Sequence, residues 1–202
     1  MSGAAVSVVL ASSSAARAAL LRCAGIAFTA APADIDEDAL KAAALARGET
    51  PSQLAMLLAE AKARAASLRH ASALIIGADQ VLECGGAVFS KPADAAAALE
   101  QLRALSGRTH RLLSAVCAAR DDTILWRHLG EARMVMRALS EAELARYLAA
   151  AGTAVTRSVG AYQFEGLGAN LFCAVEGGHA TILGMPLLPL LGFLRAQGVS
   201  FS

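Results

Sequence analysis

Hydrophobic and polar positions along the chain switch between two periods, and the switches mark the elements. The short apolar run Val6 to Leu10 has the pattern of a buried strand, and a helix is predicted from Ser14 to Cys23, stopped by Gly25. Phe28 to Ala30 predicts a short strand ahead of the acidic stretch Asp34-Ile35-Asp36-Glu37-Asp38. Thr50-Pro51-Ser52-Gln53 joins an N-cap, a proline at the first helical position and a capping-box glutamine. Leu54, Leu57, Leu58 and Ala61 then share one face, which predicts a helix running to His70.

Ala73 to Ala78 reads as a buried strand that delivers Asp79 at its C-terminal end, where ligands gather in open α/β sheets. Val81-Leu82 and Val88-Phe89 flank Gly85-Gly86, a hairpin signal. Pro92 holds Lys91 extended and is expected to open a helix over Ala93 to Leu105. Two or three strands follow, over Thr109 to Ala119, Thr123 to His128 and Arg133 to Arg137, read as antiparallel. A second capping box, Ser140-Glu141-Ala142-Glu143, starts a helix to Ala151. Gly160 to Gly184 predicts short strands, and Pro186 to Gln197 a last helix. This order predicts a mixed α/β fold, one central sheet flanked by helices, as a single domain over residues 1–202.

Composition narrows the function classes. With 56% hydrophobic and 17% charged residues, the 202-residue chain can bury a large core. A net charge of +1 gives no basic field for a nucleic-acid polymer, so an anionic ligand must be held by a local site, which suits a small phosphorylated molecule. The first basic residue is Arg17 and the preceding apolar stretch is too short for a secretory signal, so a cytoplasmic location is expected. Ala180 to Leu194 contains Pro186 and Pro189 and falls short of a bilayer span, so no membrane insertion is expected. Cys23, Cys84, Cys117 and Cys173 form no CxxC pair, which argues against zinc and disulfides and predicts four buried thiols.

Candidate chemistry concentrates at the first strand-to-helix joint. Ser12, Ser13 and Ser14 can cap the helix, and Arg17 follows one turn in, so amides, hydroxyls and a guanidinium converge where an anion such as phosphate would bind. Asp79 has two readings, a structural cap for the next turn or a chemical group at a sheet edge. Taken singly, Lys91 and Arg17 read as solvated charges.

Together these residues carry a resemblance. Leu10-Ala11-Ser12-x-Ser14-x-x-Arg17-x-x-Leu20-Leu21, Asp36-Glu37, Glu60-Ala61-Lys62-Ala63, Gly77-Ala78-Asp79-Gln80-Val81, Lys91-Pro92, Leu102-x-x-Leu105-Ser106-Gly107-Arg108-Thr109-His110, Gly160-Ala161-Tyr162 with Glu165-Gly166-Leu167-Gly168, and Gly184-Met185-Pro186-Leu187 stand in the order of the Maf family. The chain resembles these nucleoside triphosphate pyrophosphatases over nearly its whole length. The resemblance implies two lobes around a deep nucleotide cleft, as in the related inosine triphosphate pyrophosphatases. It also implies a divalent metal, Mg²⁺ or Mn²⁺, hydrolysis to a nucleoside monophosphate and pyrophosphate, and a homodimer.

Carried onto this chain, the resemblance gives Ser12, Ser14, Arg17, Lys62 and Lys91 the task of neutralising the polyphosphate. Glu37 and Asp79, with Asp36 next in line, become the candidate metal ligands, and Asp79 the group that activates or positions water. Gln80 with Glu165 resembles the branch acting on 7-methyl-GTP rather than the thymidine and uridine branch. A carboxylate at 165 can accept both N1–H and the exocyclic amine of guanine, and Tyr162 or Phe164 can offer a ring face to the methylated base. His110 reads as a strand residue bonding locally rather than a catalyst. Ala15 and Ala16 replace residues that make a further contact in other members, and Ser114-Ala115 and Ser158 also depart from the family pattern. Broader or dTTP/UTP-preferring hydrolysis therefore stays open, as does a non-hydrolytic nucleotide-binding regulator of cell division. Retention of Glu37, Asp79 and Lys91 together speaks against the regulator.

Overall fold

The computed structural model describes residues 6–201. Its seven-stranded mixed sheet has the order β2-β1-β3-β5-β6-β7, with β4 paired to β3. Strand β1 (Val8–Leu10) lies parallel to both β2 (Thr29–Ala30) and β3 (Leu74–Cys84), registering Val9 with Thr29 and Ile75. Strand β4 (Ala87–Phe89) folds back on β3, with Cys84 opposite Ala87, so the Gly85-Gly86 hairpin forms as expected. Strands β5 (Thr109–Arg120) and β6 (Thr123–Met136) are joined through Asp121 and Asp122, at φ 46° and 63°. Two successive positive φ values make the tight turn whose twist suits an antiparallel pair. Strand β7 (Phe172–Glu176) closes the order, antiparallel to β6.

The helices are α1 (Ala15–Cys23), α2 (Glu37–Ala46), α3 (Pro51–Ser67), α4 (Ala95–Leu105), α5 (Glu141–Ala151), α6 (His179–Ile182) and α7 (Leu187–Ala196). Both expected capping boxes are present, at Thr50/Gln53 and Ser140/Glu143. The chain divides into two compact units. The first comprises residues 6–80, 114–130 and 184–201, and the second 81–113 and 131–183. Each has its own core. In the first, Leu10, Leu21, Leu74, Ile76, Val116, Met185, Leu190 and Leu194 pack together; in the second, Leu82, Leu102, Leu105, Leu112, Met134, Leu144 and Tyr162 do so. Burial of this kind contributes about 25 cal/mol per Å² of apolar surface removed from water, so each core is a main source of its unit's stability.

Several local expectations need correction. Strand β3 does not end at Ala78 but runs through Asp79 to Cys84, because Asp79 and Gln80 find side-chain partners in Lys62 and Ser114 and so can stay within the sheet. Of the two or three strands expected over 109–137 there are two, since 123–128 and 133–137 form one continuous β6 with Gly130 carried inside it. Helix α4 starts at Ala95 under an Asp94 cap that accepts from the Ala97 amide, while Pro92 lies buried ahead of it. The acidic stretch opens a helix, α2, capped by Asp36. In the glycine-rich region from Gly160 to Gly184 the expected short strands reduce, among the described residues, to β7, alongside a 3₁₀ turn ending at Ala161, another at Leu167–Leu171, and helix α6. Cys84 and Cys117 are buried, but Cys23 and Cys173 are exposed. No helix among the described residues is long and apolar enough to cross a membrane.

Candidate active site

In the first unit the joint after β1 is built by hydroxyls. Ser14 is the N-cap of α1, its side chain accepting from the Arg17 amide, and its own amide donates to Ser12 Oγ at 3.2 Å. The amides of the first helical turn have no intrahelical acceptor and carry the positive end of the helix dipole, which favours an anion there.

Arg17 is not the solvated residue its surroundings in the sequence suggest. Only 9% of it is exposed, and it ties three distant blocks together. Its Nε donates to Gly184 O at 2.9 Å, and its Nη1 donates to Ala78 O at 2.9 Å and to Ser12 Oγ at 3.2 Å. The joint after β1, the strand carrying Asp79 and the turn before α7 thus meet on one guanidinium. Gly184 has φ +95°, and a Cβ there would lie 3.2 Å from Arg17 Nε, so a side chain at 184 would crowd this node. Burial pushes the Arg17 pKa down, while the charges of Asp79 and then Glu37 pull it back up.

Lys62 sits on the buried face of α3, beside Leu58, Ala59 and Ala63. Its Nζ reaches Asp79 Oδ1 at 2.6 Å and Glu37 Oε2 at 3.0 Å. Helix α3 comes this close to β3 because residue 77 is glycine: a Cβ there would fall on Ala59 O and Ala63 Cβ. Glu37 is the first residue of α2 and half exposed. One ammonium therefore holds together a carboxylate from β3 and one from α2. Such a pair of hard oxygen donors fits a divalent cation that takes its other ligands from water and phosphate, as Mg²⁺ does. Among the described residues no cluster of three or more Asp, Glu, His or Cys is placed to hold a metal. Asp36 precedes Glu37 in sequence, but its Oδ1 accepts from the Ala39 amide at 2.9 Å as the cap of α2.

Gln80 follows Asp79 in the same strand, so the two side chains leave β3 on opposite faces. Its Nε2 donates to Ser114 Oγ at 2.9 Å. Ser114 is thus a side-chain partner of Gln80.

The second unit carries the remaining candidates. Lys91 is exposed just after β4. Glu165 is exposed on a turn in which the Gly166 amide donates to Gln163 O at 3.2 Å. His110 bonds locally, its Nε2 lying 2.7 Å from Tyr162 Oη, and burial lowers its pKa to about 4. Tyr162 is only 4% exposed and packs edge-on against Phe172, so it is a core residue rather than a ring face for a base. Phe164, partly buried against Phe172 and His179, keeps that candidacy. What sequence reasoning missed is the bonding of Arg17, to Gly184 O, Ala78 O and Ser12 Oγ. Two of those acceptors are backbone carbonyls, which leave no side-chain signal.

A mixed α/β protein with a hydroxyl-capped helix start and a carboxylate pair bridged by a buried lysine has the parts of a phosphate-handling enzyme. Residues 7–197 match the family model described as Maf-like protein, and the chain belongs to the Maf family. It is 53% identical over 190 residues to a nucleoside triphosphate pyrophosphatase of Bradyrhizobium diazoefficiens, covering 94% of this chain and 93% of that one. It is 53% identical over 190 residues to another protein of that name from Paramagnetospirillum magneticum, covering 94% and 98%. A 7-methyl-GTP pyrophosphatase of Rhizobium etli is 49% identical over 191 residues, covering 95% and 96%.

Proposed function

We propose that this chain is a nucleoside triphosphate pyrophosphatase with 7-methyl-GTP, or a similarly modified nucleotide, as its preferred substrate. Water attacks the α-phosphorus, the bond from that phosphorus to the bridging oxygen breaks, and the products are a nucleoside monophosphate, pyrophosphate and a proton. The observation that carries the reading is the buried Lys62–Asp79 contact shared with Glu37, in a chain about half identical to enzymes of that name.

In this reading Asp79 accepts a hydrogen bond from the attacking water and so activates or positions it. Lys62 keeps Asp79 in place through the 2.6 Å contact. The start of α1, with Ser12 and Ser14, receives phosphate oxygens, and Arg17 braces that start while adding its charge. Glu37 and Asp79 would hold Mg²⁺ or Mn²⁺, which supplies neutralisation of the triphosphate charge when bound. Lys91 as a phosphate contact, and Gln80 with Glu165 as the base-selective pair, rest on their motifs. The family match, running from residue 7 to 197, supports treating residues 1–202 as one Maf-type domain. We assign it to the cytoplasm as a homodimer, which the native mass in solution tests.

The deciding experiment measures pyrophosphate release from 7-methyl-GTP, GTP, dTTP and UTP with Mg²⁺ or Mn²⁺, for the wild type and Asp79→Asn. Preference for 7-methyl-GTP, lost in the variant, supports the reading. Preference for dTTP or UTP moves the chain to the pyrimidine branch, and binding without turnover leaves a nucleotide-binding regulator.

A further inference from the structure

We propose that Gln101 is a positioning residue that fixes the Lys91 and Glu165 loops of the second unit to one another. The inference rests on the reading above, in which Lys91 and Glu165 contact the substrate.

Gln101 lies on α4, partly buried, and its carboxamide is engaged at both ends. Nε2 donates to Ser90 O at 2.7 Å, and Oε1 accepts from the Gly160 amide at 3.1 Å. Ser90 is the residue before Lys91, and Gly160 begins the Gly160-Ala161-Tyr162 block that leads into Glu165. One planar amide therefore sets the spacing between two loops that are far apart in sequence. The two bonds also fix which end of the amide is which, because only the nitrogen can donate and only the oxygen can accept.

The segment it grips cannot hold its shape unaided. Gly160 has φ +77° and Ala161 φ +60°, so two successive residues are left-handed and the second is not a glycine. An alanine stays there only when its surroundings hold it. Tyr147 Oη donates to Ala161 O at 3.1 Å, and Ser158 Oγ donates to Tyr162 O at 2.6 Å. The Tyr162 ring is buried, and a Cβ at Gly160 would lie 2.6 Å from Leu82 Cδ1. These contacts anchor the block to the core of its unit. Gln101 reaches the Lys91 loop as well, through Ser90 O.

Two substitutions in the full-length protein separate the two ends of the amide. Gln101→Leu removes both bonds, while Gln101→Glu keeps an acceptor for the Gly160 amide and loses the donor to Ser90 O. The readouts are hydrogen exchange at the Gly160 amide, kcat and KM for 7-methyl-GTP and UTP, and the melting temperature. We expect Gln101→Leu to speed Gly160 exchange, raise KM about ten-fold and erode the preference between the two nucleotides. Gln101→Glu is expected to restore Gly160 protection and the preference, but not KM. In a Lys91→Ala background the KM effect of either variant should shrink to within roughly two-fold, as coupled residues require. Wild-type KM and preference in Gln101→Leu, or a full KM effect persisting in the Lys91→Ala background, would overturn the inference. If Lys91→Ala and Glu165→Gln on their own leave turnover and preference unchanged, the underlying reading of those two residues fails first and the inference falls with it.

Discussion

Lys62 Nζ lies 2.6 Å from Asp79 Oδ1, with only 11% and 10% of the two side chains exposed, and the same ammonium holds Glu37 Oε2 at 3.0 Å. A charge pair this deep contributes little over an apolar pair of the same shape, but removing one partner strands the other. Lys62→Met should therefore cost about 3 kcal/mol in urea unfolding at neutral pH. Asp79→Asn, which keeps an oxygen for Lys62, should cost less. The double variant Lys62→Met/Asp79→Asn should recover much of the loss, because no unpaired charge is then buried. Either single change should slow pyrophosphate release by about a hundred-fold or more. A double variant no more stable than Lys62→Met would show that the pair is not what holds this corner.

Gly77 gives that pair its geometry. Adding a Cβ drives it into Ala59 O and Ala63 Cβ, on the turns of α3 on either side of Lys62. The backbone oxygen cannot rotate away, so the helix must move off the strand and take Lys62 from Asp79. Gly77→Ala is expected to destabilise by about 2 kcal/mol, within the range for overpacking, and to depress kcat more than KM. A stability loss with kcat intact would mean that α3 and β3 separate without disturbing the ion pair.

Elements with local signals are legible in the residues themselves: the two capping boxes, the Gly85-Gly86 hairpin and the Ser14 cap all stand where residue chemistry places them. What is not legible depends on partners distant in sequence. Asp79 and Gln80 look like the end of a strand until Lys62 and Ser114 pair with them, and β3 then runs on. Whether residues 123–137 make one strand or two is open in the sequence, and β6 runs through Gly130 as one. Helix α2 is hidden by acidic residues that invite a reading for their charge, although Asp36 also caps it. At the candidate site, the residue types are legible and the connections are not. Arg17 reads as solvated by helical position and is buried because Gly184 O and Ala78 O accept from it.

The thiols offer a simple check of the core. Cys23 and Cys173 are exposed, whereas burial raises the Cys84 pKa and pushes that of Cys117 up to about 12. Thiolate is the reactive form, so a disulfide reagent at pH 8 should titrate two thiols quickly in the native protein and four in denaturant. Rapid reaction of all four in native buffer would contradict the packing around Cys117 in β5. Cys23→Ser/Cys173→Ser should abolish the fast phase and leave the slow one.

His110 makes the stability depend on pH in a defined window. Its Nε2 meets Tyr162 Oη at 2.7 Å, but Nδ1 is buried without a partner, so an imidazolium would have an unpaired N–H. The folded pKa is accordingly lowered to about 4, against about 6.5 in an unfolded chain. As pH falls below 6.5, the unfolded state takes up a proton that the folded state refuses until pH approaches 4, so stability declines with acidification across that interval. Between pH 7 and pH 5 the loss should be about 2 kcal/mol. Glu83 and Glu143 are held below their ordinary values, Glu143 at about 2, and so withdraw their contributions at lower pH than this. Urea titrations at pH 7 and pH 5 measure the difference, and His110→Gln, which can still bond Tyr162, should remove most of it. An equal pH dependence in that variant would assign the acid sensitivity to other groups and leave the His110–Tyr162 pair with a packing role alone.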